Sequence, residues 1–402
     1  MNEMLTPTRS DALELTILMP CLNEAETLAK CIAKARLGLQ QAGVRGEVLV
    51  ADNGSTDGSQ ETAKTHGARV VNVSEKGYGS ALRGGVEAAA SPWIIMGDAD
   101  DSYDFSRIQG FLQKFREGYE LVMGCRLPSG GGTIMPGAMP WKNRWIGNPS
   151  LSLTGRMFFR CPARDFHCGL RGFTRAGYEK MDLKTTGMEF ASEMVIKATL
   201  KGLRITEEPI TLHKDGRSRP PHLKPWRDGW RHLRFMLIYS PRWLFLTPGL
   251  LLAAVGLLSG ALLAHGSLKV GQVAFDAGTL AVSSMMLIIG VQLVAFAFFT
   301  KVFAIGEGLL PQDPAFSRVF KYFTLEKGIV LGLLILLGGL GLLTYGVWVW
   351  KQAGYGVLPY GDNMRRLLPA VTLVVVGIQI VFSSFFMSVL GLKTSSRKPP
   401  TV

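Results

Sequence analysis

The sequence is poor in cysteine and pairs none of it. Its five cysteines, Cys21, Cys31, Cys125, Cys161 and Cys168, form no C-x-x-C unit. That excludes a disulfide-stapled secreted scaffold and fits reduced thiols facing the cytosol. Cys161 and Cys168 stand seven apart with His167 between them, but a zinc site would need a second close pair. The opening stretch MNEMLTPTRSDALELT has no basic-then-apolar leader, so no secretory signal peptide is expected. No repeat of fixed period and no long low-complexity tract occurs. Acidic charge is also in short supply, with 31 Asp+Glu against 44 Lys+Arg and a net charge of +13.

Charge is scarcest of all in four apolar blocks, approximately Trp243–Ala264, Gly278–Phe303, Ile329–Trp350 and Leu367–Leu392. Each is long enough for the about 20 residues of helix that cross a bilayer. Trp243, Tyr322, Trp348 and Trp350 lie at or near their ends, where amphipathic rings favour the interface. The basic excess collects beside the blocks: His213 to Arg242 holds eight Lys/Arg and two Asp, net +6. Lys301, Arg318, Lys321 and Lys327 lie between the second and third blocks, and Lys393, Arg397 and Lys398 in the tail. By the positive-inside rule the N-terminal domain and the tail are both expected on the cytoplasmic side of the cell (inner or plasma) membrane. Lys351, Arg365 and Arg366 on the other side weaken that bias without reversing it. The expected division is 1–212 for the cytoplasmic domain, 213–242 for a basic juxtamembrane segment, 243–392 for the spans and 393–402 for the tail.

Within the juxtamembrane segment, Trp226, Trp230, Leu233 and Leu237 share one helical face and Arg227, Arg231 and Arg234 a neighbouring one. This pattern suits a helix lying among lipid headgroups, and also a surface helix packed on its own domain. Gln292 and Gln379 sit inside the second and fourth blocks, where such side chains mostly hydrogen-bond a neighbouring helix.

Before the collar the sequence alternates strand and helix patterns. Strands are expected at 15–20, 47–52, 68–73 and 92–98. Helices are expected after Asn23, near 57–66 and from about 79 to 90. The alternation predicts an α/β domain with a doubly wound, parallel, Rossmann-like sheet, whose ligands bind beyond the carboxyl ends of the strands. The polar motifs fall there. Pro20-Cys-Leu-Asn23-Glu24 follows the first strand, and Asp52-Asn53-Gly54-Ser55-Thr-Asp57 the second. Lys76-Gly77-Tyr-Gly79, with Arg83 beyond it, follows the third, and Asp98-Ala-Asp100 the fourth.

Each motif has a chemical reading and a plainer one. Asp52 can accept from a base or ribose, or the loop can be a strand-to-helix turn with a Ser/Thr cap. The K-G-Y-G segment is not the dinucleotide fingerprint, but its glycines, Lys76 and Arg83 near a helix start suit an anion. Four aspartates, Asp98, Asp100, Asp101 and Asp104, occur within seven residues. Asp98 and Asp100 can meet one hard cation at a strand end, or belong to a solvated turn. Asp104 reads as a cap for the following helix. Further on come Arg126, then Asp165, His167 and Arg171, then Glu189 and Glu193. A lone histidine such as His167 is more often structural than catalytic.

The ordered set P-x-x-N-E, D-x-G-S-T-D, the glycine-rich Lys/Arg segment, D-A-D and D-x-x-x-G-x-R-x-F resembles the family 2 glycosyltransferases of GT-A fold. Within them it is most similar to the polyprenyl-phosphate mannose and glucose synthases. The resemblance spans about residues 13–240. It implies transfer of a hexose from UDP-glucose or GDP-mannose to a polyprenyl phosphate. Pro20, Asn23, Glu24, Asp52, Asn53, Gly54, Ser55, Asp57, Lys76, Gly77, Arg83 and Asp98 would line the nucleotide-sugar pocket. Asp98 and Asp100 would hold Mg²⁺ or Mn²⁺. Arg126 and Arg171 would meet donor or acceptor phosphate, with Asp165 positioning the loop. Relatives often read D-A-D-L-Q, whereas Asp101 and Ser102 stand here, so Asp101 enters as a third metal ligand. Lipids are expected partners, nucleic acid is not, and homo-oligomerisation stays open. The Q-x-x-R-W motif of processive synthases is absent, PRWLF being a partial echo, and ILMPCLNEAE lacks the triphosphate loop of a pyrophosphorylase. Transfer to another lipid or a polysaccharide, and a non-catalytic membrane scaffold, are the remaining alternatives.

Overall fold

The computed structural model describes residues 12–218, 225–307, 309–311, 316 and 324–391. Outside them fall Arg318, Lys321, Tyr322, Leu392 and the basic tail with Lys393, Arg397 and Lys398, as does the side chain of Trp226. Two compact units divide the chain, the first ending at Met236 and the second starting at Leu237.

The first unit is built on a seven-stranded sheet. Its elements begin β1 (Leu15–Cys21), α1 (Ala25–Ala42), β2 (Gly46–Asp52), α2 (Ser59–Thr65), β3 (Arg69–Asn72), α3 (Tyr78–Ala88) and β4 (Trp93–Met96). There follow α4 (Gln109–Arg116), β5 (Leu121–Cys125), β6 (Thr133–Ile134) and α5 (Asn148–Phe159). Next come β7 (Arg171–Thr174), α6 (Arg175–Met181), α7 (Phe190–Leu200), β8 (Ile205–Pro209), β9 (Thr211–Leu212) and α8 (Pro225–Ile238).

β1 is buried along its whole length because helices cover both sheet faces. Its residues alternate between them. Ile17 and Met19 join Val48 and Val50 in the cluster that includes Leu28, Cys31 and Ile32 of α1. Leu18 and Ala51 point the other way, where Gly85 of α3 lies so close that a Cβ would meet both side chains.

Strand order is β3-β2-β1-β4-β7-β5-β8. β1 to β4 pair in parallel, as the alternation predicts, but β7 runs antiparallel between β4 and β5. The expected all-parallel sheet is therefore corrected to a mixed one. Strand patterning records which residues are buried and not which way the chain runs, so the reversal left no mark in the sequence. The connection after β1 runs outward through β2 and β3, and β4 then returns to the opposite side of β1. That places a topological switch point between the ends of β1 and β4.

α8 refines the amphipathic reading. Its deeply buried residues are His232 and Met236, one turn apart, while Trp230 is 57% exposed. His232 Nδ1 meets Ser192 Oγ of α7 at 2.8 Å, so one face of this helix is fastened to its own domain. Arg227, Arg231 and Arg234 are exposed.

The second unit consists of α9 (Thr247–Ala264), a short β10–β11 hairpin (Leu268–Val270 and Val273–Phe275), α10 (Ala277–Gly306), α11 (Leu325–Gln352) and α12 (Tyr360–Gly391). Four apolar helical spans result: Arg242–Ala264, Ala277–Gly306, Leu325–Gln352 and Tyr360–Gly391. They outrun most of the expected apolar blocks because the helices continue through polar ends. Leu258, Leu334 and Phe382 point outward, as in a chain whose solvent is lipid. Glycines bring the helices together. A Cβ at Gly290 would collide with the Ala253 backbone of α9, and one at Gly377 with the Leu336 backbone of α11. Gln379 Nε2 donates to Gln292 Oε1 at 3.1 Å, joining α12 to α10 in the interhelical role read for both glutamines.

Candidate active site

The residues at the strand ends form one hydrogen-bonded assembly. Asp52, 1% exposed at the end of β2, accepts from Gly54 N at 3.0 Å, Ser55 N at 3.1 Å and Gln60 Nε2 at 2.7 Å on a single carboxylate oxygen. Gly54 takes φ 93, a left-handed conformation that a side chain disfavours, and Lys76 packs where its Cβ would be. Asn53 then bridges two motifs. Its amide donates to the Val73 and Glu75 carbonyls, its Oδ1 accepts from Gly77 N at 2.8 Å, and its carbonyl accepts from Lys76 Nζ at 2.7 Å. Gly77 has no room for a Cβ against the Thr186 carbonyl.

The N-E motif is tied to the same loop. Asn23 N donates to Ser55 Oγ at 2.8 Å, and Asn23 Oδ1 accepts from Thr56 N at 2.8 Å. Glu24 N donates to Ser59 Oγ at 2.9 Å, and Asp57 accepts from Ala25 N at 3.0 Å. Burial alone would raise the Asp57 carboxyl. The hydrogen bonds from Ser59 and Ala25 outweigh it and hold that group below its ordinary value. Pro20 is buried at the end of β1 opposite Ala51. Arg83 is not drawn into this assembly; it lies in the second turn of α3 within electrostatic range of Tyr178 on α6.

Across the switch point stands the β4 end. Thr27 Oγ1 of α1 donates to the Ala99 carbonyl at 2.6 Å, locking the backbone between Asp98 and Asp100. Asp98 accepts from the Tyr78 hydroxyl at 3.1 Å, and Asp100 accepts from Ser102 N at 3.0 Å and Ser102 Oγ at 2.5 Å. Burial, and then the neighbouring Asp100 charge, push the Asp98 carboxyl up to about 6. Asp98 adjoins the buried Asp100, and the guanidinium beside them, Arg217, is shared with Glu24 and Asp215, so the group keeps excess negative charge that a hard divalent cation would offset. The donor set therefore fits Mg²⁺ or Mn²⁺, which Asp98 and Asp100 would hold.

Asp101 does not join them. Its φ is 65 and its carboxylate pairs with Lys34 Nζ of α1 at 2.6 Å. Among the described residues no three His, Cys, Asp or Glu side chains converge on a metal-sized point. The third-ligand reading is corrected accordingly: Asp101 fixes the turn against α1, while Ser102 braces Asp100. Asp104 caps the turn before α4 instead of the helix, accepting from Ser106 N at 3.1 Å and Ser106 Oγ at 2.6 Å.

Asp98 also yields a pH prediction. A carboxyl raised above its unfolded value of about 4 favours folding only while it is protonated, so that stabilisation is lost as pH rises through about 6. In EDTA, Asp98→Asn is expected to raise the unfolding temperature of the full chain at about pH 7.5 and to leave it nearly unchanged near pH 4. An equal shift at both pH values would contradict the buried charge.

The arginines behave differently from one another. Arg126 at the end of β5 grips Asp165 in a bidentate pair, Nε–Oδ2 and Nη2–Oδ1 both at 2.7 Å, and its backbone N donates to the same carboxylate at 2.9 Å. Asp165 is fully buried and Arg126 7% exposed. Burial would raise the Asp165 carboxyl, but the Arg126 charge holds it below its ordinary range. Asp165 thus ties the 165–171 loop to the end of β5 through Arg126. Arg171, expected to meet phosphate, is fully buried and donates to the carbonyls of Cys168 (2.7 Å), Phe166 (3.4 Å) and Ala191. That expectation is corrected: Arg171 is a strut that shapes the 165–171 loop from beneath. His167 is likewise internal, with Nε2 3.3 Å from Ser192 Oγ and its ring edge-on to His232.

Sequence reasoning missed Gln60, Tyr78 and, above all, Arg217. Arg217 donates from Nη2 to Asp100 Oδ2 at 2.8 Å and from Nη1 to Glu24 Oε1 at 3.2 Å, and reaches Asp215 at 3.4 Å. In the sequence Arg217 is one more cation of the basic collar, and D-G-R-S gives no local sign of its distant partners.

Known proteins resemble this chain along most of its length. Residues 16–181 match the family model for glycosyl transferase family 2, and 298–391 that for the family 2 C-terminal transmembrane region. The chain is 38% identical over 395 residues to the low-salt glycan biosynthesis hexosyltransferase Agl6 of Haloferax volcanii, covering 97% of this chain and 92% of that one. It is 28% identical over 217 residues to the dolichyl-phosphate hexose transferase of the same organism, covering 54% of this chain and 89% of that one. Among solved structures, glucosyl-3-phosphoglycerate synthase from Mycobacterium tuberculosis with Mn²⁺ and UDP-glucose matches with TM-score 0.45 and 20% identity, over 57% of this chain and 79% of that one. With strand-end carboxylates of this design and a hexosyltransferase relative along almost its whole length, the chain belongs to glycosyltransferase family 2 and is a membrane-embedded hexosyltransferase.

Proposed function

We propose that the enzyme transfers a hexose from UDP-glucose or GDP-mannose to a polyprenyl phosphate at the cytoplasmic face of its membrane, with inversion at the anomeric carbon. One observation carries the reading: Asp98 and the buried Asp100 stand together at the β1/β4 switch point, in a chain that also contains four apolar spans. The name of the dolichyl-phosphate hexose transferase relative supports the acceptor, and the basic residues around the spans support the orientation.

The reaction needs little from a general base. The nucleophile is an oxygen of the lipid phosphate, whose second pKa of about 6 leaves it mostly deprotonated at neutral pH. It forms a bond to the anomeric carbon as the bond from that carbon to the diphosphate oxygen breaks, and the nucleoside diphosphate leaves with the electron pair. A divalent cation on Asp98 and Asp100 would neutralise charge on that leaving group. The chain's own contribution is placement. The interlocked Asn23–Asp57 and Lys76–Gly77 loops form the nucleotide pocket, Arg126 offers a fixed cation to phosphate, and Arg171 and Asp165 keep that cation's loop in shape.

The test incubates the purified full chain and Mg²⁺ or Mn²⁺ with undecaprenyl phosphate and a panel of nucleotide sugars, and identifies lipid products by mass spectrometry. A hexosyl-phosphate lipid from a UDP- or GDP-hexose is expected. Product only on a non-phosphorylated lipid or a growing polysaccharide would overturn the acceptor assignment. Binding of nucleotide sugar with no transfer to any acceptor would mark a scaffold.

A further inference from the structure

The segment that follows β9 is clamped over the metal-binding carboxylates at both ends. His213 N donates to the Ser102 carbonyl at 2.9 Å and Gly216 N to the Asp100 carbonyl at 2.9 Å. Ser218 donates from N and Oγ to the two carboxylate oxygens of Glu26, at 2.9 and 2.6 Å. Arg217 is thereby inserted between Asp100 and Glu24, groups that lie 117 and 193 residues away in sequence. Its side chain is 12% exposed, and its Nε is buried with no hydrogen-bond partner among the described residues. A guanidinium in such a place is a positive charge held by carboxylates and not by its full hydrogen-bonding capacity. Arg217 Nη2 already donates to Asp100 Oδ2, so a divalent ion on Asp100 brings a second cation to the same carboxylate, and the two compete for its charge.

We propose that Arg217 is an exchangeable internal cation of the active site, which neutralises Asp100 and Glu24 before metal loading and is displaced from Asp100 by the divalent ion. The inference rests on the metal assignment to Asp98 and Asp100. Divalent binding thus works against a built-in competitor, and the 213–218 segment shifts when the metal arrives. Loss of the guanidinium leaves Asp100 with uncompensated charge and strengthens its hold on a divalent ion.

The test is titration of the full chain in detergent with Mn²⁺ alone, read by electron paramagnetic resonance of free Mn²⁺, for wild type, Asp100→Asn, Arg217→Gln and Arg217→Lys. Arg217→Gln is expected to bind Mn²⁺ about tenfold more tightly than wild type, as loss of one charge-assisted contact implies. Arg217→Lys keeps a charge but not the two-pronged reach and should fall between them. Mn²⁺ binding that needs Asp100 but is unchanged or weaker in Arg217→Gln would overturn the exchange while leaving the metal assignment intact. Mn²⁺ binding that Asp100→Asn does not alter, or no binding in wild type, would overturn both.

Discussion

Asp100→Asn is expected to lower kcat/KM by roughly a hundred- to a thousandfold, the loss seen when one electrostatic contact to developing charge is removed. The substitution is nearly isosteric. The asparagine oxygen still accepts from Ser102, and the backbone bond from Gly216 N to the residue 100 carbonyl is untouched. What disappears is the carboxylate charge facing Arg217 and, on the proposed reading, the metal. The loss should therefore fall on turnover and metal dependence, with little change in the unfolding temperature. Steady-state rates across a Mn²⁺ series, beside a thermal melt, separate the two. Wild-type turnover in this variant would sink the metal-assisted mechanism, and a collapsed melt would show that Asp100 is chiefly structural.

The second large effect belongs to the Arg126–Asp165 pair. Replacing either partner alone, as in Asp165→Leu or Arg126→Met, strands a buried charge and should cost about 3–5 kcal/mol. The double variant Arg126→Met/Asp165→Leu removes both charges and should recover most of that stability, because a buried pair contributes little net energy over apolar groups of similar volume. Its activity should stay lost, since the fixed guanidinium beside the 165–171 loop is gone. Chemical unfolding and turnover of the three variants decide the matter. A double variant as unstable as the singles would mean that the pair does more than cancel charge, and a stable, active one would remove Arg126 from the mechanism. The pair also has a pH signature. Because Arg126 holds the Asp165 carboxyl below its ordinary value, its stabilisation is present above the unfolded pKa of about 4 and is lost as pH falls through the lower folded value.

The parts of this site that the sequence revealed share a cause. Motifs placed directly after strands are brought together by the sheet itself. Asn23, Asp52, Lys76 and Asp98 could thus be assigned to one cleft from strand periodicity and order, and the structure ties their loops to one another. What stayed hidden depended on orientation or on long-range closure. The family resemblance alone made Arg171 a phosphate ligand. Only its complete burial and its three carbonyl partners show that it faces inward. Asp101 has the same composition as its neighbours, and a left-handed backbone at that one residue accompanies its pairing with Lys34 on α1. Arg217 was hidden by distance, since nothing local to D-G-R-S announces a partner 117 residues earlier. In the membrane unit, lack of charge announced the helices, whereas the glycine contacts that pair them required the fold.

The central claim is direct transfer of the hexose onto the lipid's own phosphate. It is tested most directly by the nucleotide released per lipid product, quantified by chromatography in one reaction of the full chain with polyprenyl phosphate and the preferred donor. The account predicts one nucleoside diphosphate per lipid formed and a lipid carrying a single phosphorus atom in a β-linked diester when the donor is α-linked. Release of nucleoside monophosphate, with two phosphorus atoms on the lipid, would contradict it by showing that the sugar travels with its phosphate.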